Sequence, residues 1–106
     1  MTLATAIEPA FDSRSRRRGL LGRDGLARGA ALILAPCAGV HTFFMRFPID
    51  VVFARKDGTV LKACADVKAG RIALALGAAV AIELPAGAAG DAKTQVGDRL
   101  VFARGS

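Results

Sequence analysis

Apolar and polar positions alternate with a period near two along most of this chain, which points to strands rather than helices. The segment AALILA, residues 30–35, is apolar throughout and is stopped by Pro36, so it reads as a short buried strand. Residues 40–47 (VHTFFMRF) are rich in strand formers. There His41, Phe43, Met45 and Phe47 fall on one side, and Thr42, Phe44 and Arg46 on the other. Both sides carry aromatic rings, so a strand here would be covered on both faces. Residues 49–54 and 59–67 flank Arg55-Lys56-Asp57-Gly58. Asp-Gly between two strand-like segments is a strong hairpin signal, because glycine tolerates the positive φ that such turns need. Further on, Ile72, Leu74 and Leu76 alternate with alanines, and Val80, Ile82 and Leu84 repeat the pattern after Gly77.

Helical signals are few. Ser13 is a candidate N-cap for a short basic turn over residues 14–21, and Gly19, Gly22, Gly25 and Gly29 interrupt anything longer. Residues 85–94 have room for one helical turn, and Val96-Gly97-Asp98 reads as a turn into a last strand over residues 99–103. The expected fold is mainly β, α+β at most: a small antiparallel β-sandwich or open barrel with one or two short helical turns. A βαβ arrangement is not expected, because no helix of roughly 10–15 residues separates the strands. Residues 1–13 are read as an N-terminal arm or first strand, and residues 14–106 as a single domain.

Composition supports a folded chain. Hydrophobic residues make up 53% and charged residues 23% of the 106, a globular balance that excludes a disordered segment. Much of the apolar content is alanine, so the expected core is thin and built around Ile, Leu, Val and six Phe. The formal charge is +6, and Arg14, Arg16, Arg17, Arg18, Arg23 and Arg28 crowd into the first 28 residues. Such a cluster either keeps a small domain soluble or neutralises phosphates of a partner. The first dozen residues carry Glu8, Pro9 and Asp12 and show no apolar stretch after a basic start, so no secretory leader is read there. The longest apolar stretch, residues 72–84, carries Glu83 and is shorter than the roughly 20 residues that a membrane span needs. The expectation is a soluble, cytoplasmic protein without a membrane span, in which Cys37 and Cys64 are free thiols.

Candidate chemistry concentrates in Cys37-Ala38-Gly39-Val40-His41-Thr42, followed by Met45, Arg46 and Asp50, a set that holds the single histidine. Cys37 is a candidate reactive thiol if a turn at Gly39 brings it to His41; in an extended strand the two would stand roughly 13 Å apart. A metal site has weaker support, because Cys37, His41, Asp50 and Cys64 show no ligand-pair spacing; no metal and no cofactor are expected. Arg46 and Asp50 stand on either side of Pro48, able to pair with each other or with Glu83, whose carboxyl lies in the apolar run VAIELPAG and is costly there without a partner. Alternatively Arg46 holds an anionic ligand, with His41 and Thr42 adding polar contacts. Asp98 reads as a turn residue, and the glycines at 87 and 90 match no phosphate loop.

The segment from Cys37 to Phe53, CAGVHTFFMRFPIDVVF, resembles the signature of a family known as domain of unknown function 192. Arg18-Gly19-Leu20-Leu21-Gly22-Arg23 resembles the family's early element, and Asp57-Gly58 with Val60 fits the hairpin after its signature. Glu83-Leu84-Pro85-Ala86-Gly87 and Val96-Gly97-Asp98 resemble its two later motifs. The match runs in order from about residue 14 to residue 102. It departs from the family at Arg55, where an acidic residue is common, and in lacking the export signal that many members carry. The resemblance implies a small, mainly β sandwich-like domain and no particular activity, substrate or cofactor. From the residues, the leading reading is a non-enzymatic binding module for a small polar or anionic ligand, its pocket formed by His41, Thr42, Arg46, Asp50 and Glu83. The alternatives are an enzyme using Cys37 with His41, and weak nucleic-acid binding through Arg14, Arg16, Arg17 and Arg18. Nucleic acid is the less expected partner, and the oligomeric state is left open.

Overall fold

The computed structural model describes residues 4 and 6–100. Among the described residues seven strands form two sheets, accompanied by two short helices, in the order β1 Ala6–Ala10, α1 Ser13–Arg18, β2 Ala30–Leu34, β3 Gly39–His41, β4 Ile49–Ala54, β5 Val60–Val67, β6 Ile72–Leu74, β7 Val80–Pro85 and α2 Ala88–Asp91. The larger sheet has the order β1-β2-β7-β4-β5, and β3 pairs with β6 in a separate two-stranded ribbon.

The three most apolar segments take the middle of the large sheet. Strands β2, β7 and β4 are buried nearly end to end, as strands covered on both faces must be. Alternate residues then feed two cores. Leu32, Leu34, Val51, Phe53 and Ala81 face one side, where the β3–β6 ribbon contributes Ala73 and Ala75 and the chain after α1 contributes Leu20. Ala31, Ile33, Val52, Ile82 and Leu84 face the other, where α2 contributes Ala89. The architecture is therefore a small, mainly β sandwich-like domain, with no closed barrel among the described residues.

The expected hairpin forms at its Asp-Gly turn. Gly58 adopts φ +93°, the Arg55 amide donates to the Thr59 carbonyl (2.8 Å) and the Asp57 carboxylate accepts from the Thr59 amide (2.9 Å). Those bonds from Thr59 hold the Asp57 carboxyl below its ordinary range.

Three expectations change. First, β1 and β2 run parallel, with register Ala6↔Ala30 to Ala10↔Leu34, so the sheet is mixed and a β-helix-β connection does exist. The crossover needs length rather than a long helix, and the six-residue α1 with the coil after it supplies that length. Second, Asp12 rather than Ser13 caps α1, its carboxylate accepting from the Ser15 amide at 2.8 Å. Third, the expected eight-residue strand at 40–47 is a three-residue strand followed by a turn. Thr42 ends it: its hydroxyl donates to the Lys68 carbonyl (2.6 Å) and accepts from the Arg71 amide (2.9 Å). Phe44 then turns the chain with φ +64°. The start of the expected last strand bridges Thr59 at Arg99, and its residues 101–103 lie outside the described residues.

Candidate functional site

A cleft of about 670 Å³ opens between α1 with the three residues after it and the strand-to-strand segment 36–41. Arg16, Arg17 and Arg18 of α1 form one rim, Cys37 and His41 belong to the opposite wall, and Leu34, Met45 and Glu83 reach its base. The Arg16 guanidinium is fixed in place, donating to the Phe11 carbonyl (2.6 Å) and the Ala35 carbonyl (3.3 Å). Arg17 and Arg18 are exposed.

Glu83 is the unusual member. The register Leu32↔Glu83↔Val51 places it in the middle of the large sheet, on the face that carries the first core. The residue is only 4% exposed, and its Oε1 has no hydrogen-bond partner among the described residues. Burial pushes its carboxyl up to about 7, against the weaker pull of the Arg23 charge. Arg23 itself grips Glu8 with contacts of 3.0 and 2.8 Å, so it is engaged elsewhere. Above the carboxyl lies Gly19, where an added Cβ would stand 3.4 Å from Oε1 in a backbone at φ +48°. The Arg18-Gly19 junction thus brings the chain over Glu83 with no side chain between them.

The sequence-predicted pocket residues divide. His41 and Glu83 line the cleft together with Cys37. Thr42, Arg46 and Asp50 do other work. Thr42 is buried and ties the ribbon to the loop at 68–71. Arg46 does not pair with Asp50 or Glu83; it lies at the surface against Asp24 at 2.7 Å, both side chains mostly exposed. Asp50 pairs in register with Leu84 and so faces the second core, one residue out of phase with Glu83. There its two oxygens accept from the amides of Asp66 (2.8 Å), Gly87 (3.1 Å) and Ala89 (2.9 Å), which anchors β5 and the start of α2. A period of two explains the division, since adjacent register positions point to opposite faces of a sheet.

Cys37 and His41 share the cleft without a hydrogen bond between them. The Cys37 thiol donates to the Gly39 carbonyl at 3.1 Å, and burial raises its pKa, helped by the charge of Glu83. The group is held as a thiol, the opposite of an activated nucleophile. The exposed His41 ring stacks on Phe43 with centroids 5.4 Å apart. Both cysteines are free, and among the described residues no three His, Cys, Asp or Glu side chains gather where a metal ion would need them. No helix of the described residues is long and apolar enough to cross a membrane. Arg14 does not line the cleft, whereas Arg16, Arg17 and Arg18 do. Along the sequence those arginines and Glu83 are separate features; the glycine corner at residue 19 joins them.

The fold is shared with solved structures. A protein of unknown function from Novosphingobium aromaticivorans superimposes with a TM-score of 0.82 at 22% identity, over 91% of this chain and 74% of the other. A protein from Sinorhizobium meliloti, described as a "putative transcription regulator", superimposes with a TM-score of 0.80 at 23% identity, over 88% of this chain and 78% of the other. No curated protein matches the sequence. The model of the uncharacterised family known as domain of unknown function 192, described as "Uncharacterized ACR", matches residues 1–102, and the chain belongs to that family.

Proposed function

We propose that the protein is a non-enzymatic binding module whose cleft takes a small polar or anionic ligand. The observation that carries this reading is Glu83: a carboxyl at the base of the cleft, more than nine-tenths buried, with an oxygen that has no hydrogen-bond partner among the described residues. A buried polar group without a partner costs on the order of 1–3 kcal/mol, and a ligand hydrogen bond would recover that cost. With its pKa near neutrality the carboxyl either donates or accepts, so a hydroxyl is a fitting partner in both states. The guanidinium groups of Arg17 and Arg18 at the rim complement a carboxylate or other anion on the same ligand. Leu34 and Met45 provide the apolar remainder of the base. A small hydroxy acid or acidic sugar carries all of these features. The hydrogen-bonded, protonated state of Cys37 weighs against the enzymatic alternative.

The test is a titration of 15N-labelled protein with gluconate, citrate and glucose. Amide shifts clustered at residues 17–21, 37–41 and 82–84, with an affinity at least about tenfold lower in Glu83→Leu, support the reading. Shifts that avoid those segments for all three compounds, or an affinity that Glu83→Leu leaves unchanged, refute it.

A further inference from the structure

We infer that the outer face of the β3–β6 ribbon is a docking surface for an anionic lipid bilayer. The ribbon inverts the usual pattern of a one-sided sheet. Its small residues, Ala73 and Ala75, point into the core and are each 8% exposed. Its large ones point outward, with Ile72 63%, Leu74 62% and Leu76 99% exposed. Phe43, stacked on His41 opposite Ile72, and Phe44, 90% exposed at the turn that ends β3, extend the same apolar surface. A shift of one residue would have buried the large side chains, so their exposure is a property of the register and not of composition. Contiguous exposed apolar surface on a small domain marks an interaction site.

Charge selects the partner. A groove beside the ribbon brings Lys62, Lys68 and Arg71 next to Ile72, with Asp66 the only acid among its lining residues. The Lys62 ammonium donates to the Leu74 carbonyl at 3.0 Å. An apolar centre flanked by cations complements acyl chains beneath anionic headgroups. A second copy of this chain fits less well. A two-fold contact brings a patch against itself, and three cations would meet their equivalents with only Asp66 to offset them. Single-stranded nucleic acid also fits less well: Phe43 and Phe44 offer rings on which a base can stack, but Ile72, Leu74 and Leu76, the larger part of the patch, are aliphatic. Phe44 and Leu76 sit at turns beyond opposite ends of the ribbon, as side chains that enter a headgroup layer need to.

The full chain is sedimented with phosphatidylcholine vesicles, with and without about one-third phosphatidylglycerol. Binding to the anionic vesicles is expected to exceed binding to the neutral ones and to weaken as salt rises. Replacing both protruding side chains, Phe44→Ser with Leu76→Ser, is expected to lower the partition coefficient about tenfold or more. Both residues are exposed, so a circular dichroism melt is expected to stay unchanged. Three results overturn the inference. One is no binding to anionic vesicles at low salt. Another is full retention of binding by the double variant, which would leave only a contact through charge. The last is a wild-type dimer in sedimentation velocity that the double variant dissociates, which would make the ribbon a face between copies.

Discussion

Replacing Glu83 by glutamine removes a buried carboxyl whose pKa burial raises to about 7, and its consequence can be worked out from the structure. The group titrates near 4.5 in an unfolded chain and at about 7 in the folded one. Between those values the folded state binds more protons, so stability falls as pH rises. The loss begins above the unfolded value and is complete once pH passes the folded one. A rise of this size corresponds to roughly 3 kcal/mol in full, of which about 2–3 kcal/mol falls between pH 5 and pH 8. The other shifted groups titrate elsewhere. Asp12 and Asp57 are lowered from 3.8 by hydrogen bonds from Ser15 and Thr59, so the stability they add is lost only in acid. Cys37 is raised from 9.0 and matters only in alkali. Urea unfolding at pH 5 and pH 8 of wild type and Glu83→Gln isolates the Glu83 contribution as a difference of differences. Wild type is expected to lose about 2–3 kcal/mol more than the variant over that interval. Parallel pH profiles for the two proteins would refute the assignment of a buried, unpartnered carboxyl and, with it, the base of the proposed site.

Further predictions follow from how each polar residue is used. Asp50→Ala leaves the Asp66, Gly87 and Ala89 amides without their acceptor and is expected to cost about 2–4 kcal/mol in urea unfolding, whereas Arg46→Ala, which breaks only the exposed pair with Asp24, is expected to change stability by less than about 1 kcal/mol. Similar costs for the two would contradict their separate roles. Gly58→Ala drives a Cβ into the Leu100 carbonyl oxygen in a backbone at φ +93°, so a thermal melt is expected to show a loss of about 2 kcal/mol or more. In a Cys64→Ser background, Cys37 is expected to react with an aromatic disulfide reagent at pH 8 more slowly than a free thiol does, and a faster reaction would revive the enzymatic alternative.

Much of the fold can be read along the chain because it rests on local chemistry. The run at residues 30–34, the pair of segments around Asp57-Gly58 and the segment ending at Pro85 each declare a strand by apolar continuity or turn chemistry, and each forms one. The family, too, is legible in the ordered motifs from Arg18 to Asp98, and the match over residues 1–102 agrees. What the chain alone did not disclose is what depends on partners distant in sequence. The eight strand-forming residues at 40–47 lose most of their strand because Thr42 finds Lys68 and Arg71, which no local pattern reveals. The parallel pairing of β1 with β2 depends on a crossover whose direction local propensity does not encode.

The same division holds at the candidate site. Sequence alone determined that Glu83 lies in an apolar strand, that arginines crowd the first helix and that the single histidine follows Cys37. Only tertiary structure decided which of these meet. Register sent Asp50 and Glu83 to opposite faces of the sheet, the surface captured Arg46 through Asp24, and the corner at Gly19 carried the basic helix over the Glu83 carboxyl. A carboxyl's burial and its partners are set by where other strands and loops pack, and that placement is a property of the whole fold rather than of any segment within it.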